Sequence, residues 1–202
     1  MKITAIRQQV KNSSRYSIFI DGKYSFSLSE LAVINNEIKL GQELTTAELN
    51  KLKEESSFDK AYNRLLDLLT RRPRSEWEIR DYLKRKKEDS ATIDKLVAKL
   101  SERSLLNDQA FAEAWIENRR LLKTISKRRI VQELKAKRVS DSIIDEVMGN
   151  DEVSETAVLK DLIIKKRQQT RYQDDLKLMQ YLSRQGFNYG DIKSALSELT
   201  EA

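Results

Sequence analysis

Two short stretches of this chain concentrate positive charge, and the chemistry such residues do is anion binding. The first, residues 71–87 (RRPRSEWEIRDYLKRKK), sets Arg71, Arg72, Arg74, Arg80, Lys84, Arg85, Lys86 and Lys87 against Glu76, Glu78 and Asp81. The second, residues 119–138, holds nine bases and one acid, with Arg119, Arg120, Lys123, Lys127, Arg128, Arg129, Lys135 and Lys137 as candidates. Like charges four residues apart destabilise a helix, and nothing nearby in the sequence repays that cost. The bland alternative is a solvated helix face. The excess of bases over acids favours a surface that meets an anion, either a phosphate backbone or an acidic protein wall.

Other chemistry is largely excluded. The chain has no histidine and no cysteine, which removes Ser-His-Asp triads, thiolate nucleophiles, disulfides and imidazole or thiolate metal sites. No G-x-x-x-x-G-K-[ST] or G-x-G-x-x-G loop is present to cradle a nucleotide. The sequence therefore reads as no enzyme and calls for no cofactor. Trp77, Phe111, Trp115 and Phe187 could stack on nucleic-acid bases, but Trp77, Phe111 and Trp115 sit on or near apolar stripes, where core packing is the better reading. Asn107-Asp108 ahead of Phe111 reads as a helix cap rather than a metal site, and TRYQDD (170–175) as a helix boundary.

The elements that must position these residues follow from composition and period. Five glycines and one proline in 202 residues favour helix. No run reaches the roughly 18 apolar residues of a membrane span, and the N-terminus lacks the apolar core of a secretory signal, so a cytoplasmic protein is expected. In RYSIFIDGKYSFSLS, Tyr16, Ile18 and Ile20 alternate with polar residues, as do Tyr24, Phe26 and Leu28. This is a hairpin signal. A strict two-residue turn at Asp21-Gly22 would put the two apolar rows on opposite faces, so a bulge at residues 21–23 is expected, pairing Ile20 with Tyr24 and Ile18 with Phe26. KITAIRQQ could add a third strand, and TTAELNKLKEES reads as a helix capped by Thr45 or Thr46.

From Ser56 onward the apolar period is helical, and the pattern repeats. SEWEIRDYLKRK (75–86) aligns with SKRRIVQELKAK (126–137) at an offset of 51, and more loosely with DLKLMQYLSRQGF (175–187), where Leu182 lies 48 beyond Leu134. Each copy has an amphipathic stretch before and after it. The fold class is mainly α: three tandem three-helix repeats in an elongated array, preceded by a small N-terminal β-hairpin/α module. The expected divisions are 1–57, 58–104, 105–149 and 150–202. Ser75 caps its helix, Glu78 completes a capping box and Pro73 stops the helix before it. Ser126 and Asp174 cap the other two copies.

RPRSEWEIRDYLKRK, LLNDQAFAEAWIENR, SKRRIVQELKAKRVSDSIIDEV and YLSRQGFNYGDIKSAL, in this order over roughly 58–200, resemble the RecX family, regulators of the bacterial RecA recombinase. The N-terminal module resembles the extension that some members carry. The family usually has glycine where the middle helix ends. Here Lys87 and Arg138 stand in its place and only Gly186 keeps it, so the first two helices are expected to end differently from the third. The resemblance implies a non-enzymatic protein that binds RecA nucleoprotein filaments along their groove and inhibits strand exchange, ATP hydrolysis and coprotease activity. It implies a monomer with weak affinity for single- or double-stranded DNA and no membrane association. Arg71, Arg72, Arg74, Arg80, Lys84, Arg85, Arg119, Arg120, Lys127, Arg128, Arg129 and Lys135 are the candidate contacts. The alternative is a DNA-binding helix-turn-helix protein, which needs base-reading side chains; Arg80 and Gln132 are the available ones.

Overall fold

Strand alternation at the N-terminus produces an antiparallel sheet of β1 (Ile3–Gln9), β2 (Asn12–Ile20) and β3 (Lys23–Ser29), in that order. The structure, a computed structural model, describes residues 1–10, 12–122 and 124–201, without the side chain of Glu201. Ile18 faces Phe26 as expected, but Ile20 faces Lys23 and not Tyr24. Asp21 (φ 47°) and Gly22 (φ 79°) form a tight two-residue turn, a geometry that Asp-Gly favours. The extra residue is Ser25 in β3, where the register shifts. The apolar rows are united within the strand instead of at the turn: Ile18, Ile20, Phe26 and Leu28 are buried with Ile3, while Tyr24 is exposed.

A short helix α1 (Glu30–Asn35), which the sequence did not announce, follows β3 from an N-cap at Ser29. Helix α2 (Thr46–Arg71) starts at a Thr45 capping box with Glu48, and accepting the Thr45 N–H and hydroxyl bonds lowers the Glu48 pKa. It runs unbroken for 26 residues, so position 57 falls inside it. Nothing stronger than Ser56-Ser57 interrupts its helix formers. Ser56 is buried and donates its hydroxyl to the Ser27 carbonyl at 2.6 Å, tying the helix to the sheet.

The remaining helices are α3 (Glu76–Arg85), α4 (Ser90–Glu102), α5 (Asp108–Leu122), α6 (Lys127–Ala136), α7 (Asp141–Gly149), α8 (Glu155–Arg167), α9 (Asp175–Arg184) and α10 (Tyr189–Glu201), with a 3-10 turn at Thr170–Tyr172. The chain forms two compact units: Met1–Arg72 with Lys86–Lys99, and Pro73–Arg85 with Leu100–Ala202. In the first unit Lys99 lies over the rings of Phe58 (5.1 Å) and Tyr62 (4.5 Å). In the second, α5–α7 enclose Phe111, Ile116, Ile130, Leu134 and Ile144, and α8–α10 enclose Leu159, Leu162, Leu178, Leu182 and Ile192. The repeat is literal in burial: Ile79/Leu83, Ile130/Leu134 and Leu178/Leu182 are the buried pairs of α3, α6 and α9.

These three middle helices meet head to tail. Ser75 Oγ accepts the Glu78 N–H (3.3 Å) and donates to the carbonyl of Lys137, just past α6 (2.9 Å). Ser126 Oγ accepts the Arg129 N–H (3.1 Å) and donates to the carbonyl of Gln185, just past α9 (3.1 Å). Both serines are completely buried. An acid at the start of the next helix takes the following N–H: Asp108 accepts from Glu76 N (2.7 Å) and Glu155 from Lys127 N (3.1 Å). Burial raises the Asp108 pKa, against the pull of the Glu76 N–H.

All three middle helices end in the same left-handed residue: Lys87 (φ 62°), Arg138 (φ 57°) and Gly186 (φ 94°). The expected difference in helix ends is overturned. At the second and third copies the next N–H returns to a carbonyl inside the helix, Val139 to Leu134 and Phe187 to Leu182 (both 3.3 Å), and this outweighs the roughly 1–2 kcal/mol that a side chain costs there. Glycine is demanded only at 186, where a Cβ would lie 2.3 Å from Ser126 Oγ and 3.0 Å from Arg129 Cβ.

The second junction is also clasped by charge. Asp151, buried, pairs with Arg120, whose guanidinium also donates to the Ile125 carbonyl (3.0 Å). Lys127 Nζ donates to the Asp151 carbonyl at 2.5 Å.

Gly186→Ala should lower unfolding stability by about 2–4 kcal/mol, combining the left-handed cost with overpacking, as measured by urea denaturation. Arg120→Ala should cost about 3 kcal/mol by removing the close partner of a buried carboxylate and leaving it only the more distant Lys127, whereas Arg128→Ala on the surface should stay within about 0.5 kcal/mol. Asp108 carries a raised folded-state pKa, so its protonated form favours folding. That contribution is full below the ordinary carboxylate pKa and is lost as pH rises through the folded value. Asp108→Asn keeps the acceptor for Glu76 N–H without the buried charge. It should lose less stability than the parent between mildly acidic and neutral pH in the same denaturation series.

Candidate binding surface

The structure divides the candidate cations by what each already holds. In the first unit Arg71 closes the last turn of α2 and Arg72 follows it in extended backbone, both exposed; Lys86 and Lys87 are exposed too. In the second unit Arg74 is half-buried ahead of α3. On α3, Arg80 pairs with Glu76 (2.6 Å) and Arg85 with Asp81 (3.0 Å), each one turn along the helix. Lys84, between them, is exposed and has no partner among the described residues.

The dense second stretch is mostly occupied internally. Glu133, its single acid, accepts from Trp115 Nε1 (3.0 Å) and Arg119 Nε (2.5 Å) and lies 3.9 Å from Arg129. Arg119 also covers the Trp115 ring at 4.3 Å. Arg120 and Lys127 clasp Asp151. Lys137 reaches Glu78 at 2.7 Å, joining α3 to the end of α6. Lys135 meets Asp141 at 2.9 Å, both exposed, and that bond and its charge raise the lysine pKa. Arg128 is exposed without a partner among the described residues. Lys123 lies outside the described residues.

The repulsion expected of this stretch is therefore compensated, by acids distant in sequence. Arg119, Arg120, Lys127 and Lys137 are half-buried and spoken for. Removing any of them would weaken the pairing of a buried or half-buried acid. Arg85 and Lys135 hold solvent-exposed pairs, of the kind worth about 0–1 kcal/mol, and Arg129, itself exposed, lies 3.9 Å from a Glu133 that Arg119 and Trp115 already hold, so all three can turn to an external anion at little cost. Lys84 and Arg128 need no exchange. Lys84 and Lys135 occupy equivalent positions, one residue beyond the buried leucine of α3 and of α6. The surface open to an anion in this unit is thus the outer side of α3 and α6.

The structure also adds residues that the sequence did not single out for binding. Arg138 is exposed at the left-handed end of α6. Trp77, expected in the core, is 41% exposed, whereas Phe111 and Phe187 are buried and Trp115 is half-buried. Asn107 caps α5 by accepting from Gln109 N (2.9 Å) and Ala110 N (3.1 Å), as read from the sequence. Among the described residues no group of three acids, histidines or cysteines could hold a metal ion. No described helix is long and apolar enough to cross a membrane.

Three family models match this chain: the N-terminal domain of regulatory protein RecX over residues 1–45, the first RecX three-helix domain over 61–100 and the second over 107–148. The regulatory protein RecX of Listeria monocytogenes serotype 4a (strain HCC23) is 36% identical over 207 residues, covering 99% of this chain and 76% of that one. That of Bacillus subtilis (strain 168) is 30% identical over 202 residues, covering 98% and 76%. A crystal structure of regulatory protein RecX superposes with a TM-score of 0.71 at 27% identity, over 96% of this chain and 98% of the other. RecX from Lactobacillus salivarius, at 22% identity and a TM-score of 0.60 over 72% of this chain and 97% of that one, shares the fold. With a helical array built on the repeats these domains describe, and with whole-length relatives above 30% identity, the chain belongs to the RecX family of regulatory proteins.

Proposed function

We propose that the chain binds RecA nucleoprotein filaments and lowers their recombinase, ATPase and coprotease activity, as a cytoplasmic monomer that occupies surface and performs no catalysis. Family membership supports the regulatory role. The observation that carries the mode of binding is the outer side of α3 and α6, where Lys84 and Arg128 lack partners among the described residues and Arg85, Arg129 and Lys135 are themselves exposed in their pairs. A filament of protein and DNA offers anions repeated along its length, and cations repeated on successive middle helices suit such a partner. Arg74 and Arg80 at the base of α3 are proposed contacts as well, and Arg71 and Arg72 are proposed contacts of the first unit by itself. The division into a module at 1–57 and repeats at 58–104, 105–149 and 150–202 belongs to this reading, each repeat supplying one middle helix.

The test is RecA-driven, DNA-dependent ATP hydrolysis. The chain should slow it at less than one copy per recombinase subunit. A Lys84→Glu/Arg128→Glu double variant should need at least about ten times more protein for the same effect, as expected for lost charge complementarity of a few kcal/mol, with an unchanged melting temperature. No slowing at equimolar protein would sink the proposal.

A further inference from the structure

Trp77 is the one tryptophan that the fold leaves unused. Trp115 has its indole N–H on Glu133, its ring under Arg119 and Lys137 (5.5 Å), and Phe111 beside it at 5.5 Å. Trp77 has no hydrogen bond, ring contact or cation over its face among the described residues, and it is 41% exposed. It lies in the first turn of α3, two residues from the buried Ile79, and two residues rotate the helix by about 200°. Its ring is therefore on the side opposite the core. A large apolar ring gains most of its stabilising value by burial, so leaving 41% of this residue's surface in water is a loss that folding does not recover.

The surroundings of this ring are cationic. Lys84 is on the same helix face, two turns on, about 10 Å away along the axis, exposed and without a partner among the described residues. Arg80, one turn on, is held by Glu76, and the acid on that face, Asp81, is neutralised by Arg85. The Ser75–Lys137 bond brings the end of α6 to the same end of α3 as Trp77, and the next residue there is Arg138, exposed and with its guanidinium unpartnered among the described residues.

A planar aromatic face between exposed cations suits a ligand that is itself an aromatic plane joined to anions. We propose that Trp77 is a stacking platform for an unpaired base of a single-stranded nucleic acid, with Arg138 and Lys84 taking the flanking phosphates. Stacking on an aromatic ring is tolerant of sequence because every base has a π-face, and it needs a base free of its own neighbours. The site therefore discriminates single strand from duplex and reads no base edge, unlike the helix-turn-helix alternative. It does not depend on the recombinase.

Tryptophan emission tests it directly on the full chain. Addition of a thymidine oligonucleotide should quench the parent, and a duplex of the same length should quench it less. In Trp77→Phe the remaining emission, from the internally held Trp115, should not respond. Trp77→Ala should weaken binding of a fluorescein-labelled oligonucleotide by about 5- to 150-fold, the equivalent of ~1–3 kcal/mol per stacked base, with an unchanged melting temperature because the ring supports no core. An unresponsive parent, equal quenching by duplex, or unchanged oligonucleotide affinity in Trp77→Ala would each overturn the proposal. Failure to slow RecA with quenching intact would instead count against the regulatory reading alone.

Discussion

Two helix ends that meet inside a protein set a problem of unmet backbone groups: N–H donors at one end and carbonyls at the other, both away from water. This fold solves it twice with one hydroxyl. A serine at the N-cap accepts from its own helix and donates to the last carbonyls of the next repeat's middle helix, which a carboxylate could not do. Because the hydroxyl is short, the helices must approach closely, and both serines end up completely buried. The close approach in turn dictates Gly186, places Asp108 and Glu155 where they meet the next N–H groups, and aligns successive helix dipoles head to tail.

The third copy shows what happens without that hydroxyl. Asp174 caps α9 by accepting from Lys177 N at 2.9 Å, and its neighbour Asp175 pairs with Arg167 of the same repeat. Arg167 occupies the place that Arg120 has in the preceding repeat. Both donate to carbonyls of the loop that follows their helix, Ile125 in one case and Tyr172 with Gln173 in the other. What differs is the acid. Arg120 reaches beyond α6 to Asp151, ahead of the next repeat's first helix, while Arg167 turns back to the helix that Asp174 begins. The same arginine thus clasps a junction in one repeat and closes a single repeat in the next.

Much of the fold was legible because its signals are local. Period-2 alternation marked the strands, the apolar period marked the helices, and an offset of 51 between two middle helices marked the repeat. Three features needed more than local pattern. Ser25 absorbs the register slip because Asp21-Gly22 prefers a tight turn. Residue 57 does not end a helix, because two serines are weak breakers and Ser56 gains a buried bond to Ser27. Lys87 and Arg138 both adopt the glycine conformation, and at Arg138 the returning Val139 N–H is worth more than the side-chain strain. The candidate surface was less legible. A count of charges along residues 119–138 cannot see Glu78, Asp141 or Asp151, which lie outside the stretch yet neutralise it.

Trp77 shows why a stripe read by eye misleads near a helix start. Grouped with Ile79, Tyr82 and Leu83 it looks apolar and internal, yet its spacing from Ile79 turns it outward. The position two residues before the first buried apolar residue of each middle helix is Trp77 in α3, Arg128 in α6 and Leu176 in α9. All three are exposed. Residues of three unrelated chemistries at one structural position are not there to pack, since the buried positions beside them stay apolar throughout. The helices conserve their inner faces for the junction and vary their outer faces along the array. An aromatic ring, then a cation, then an aliphatic group are what a bound partner would meet in turn.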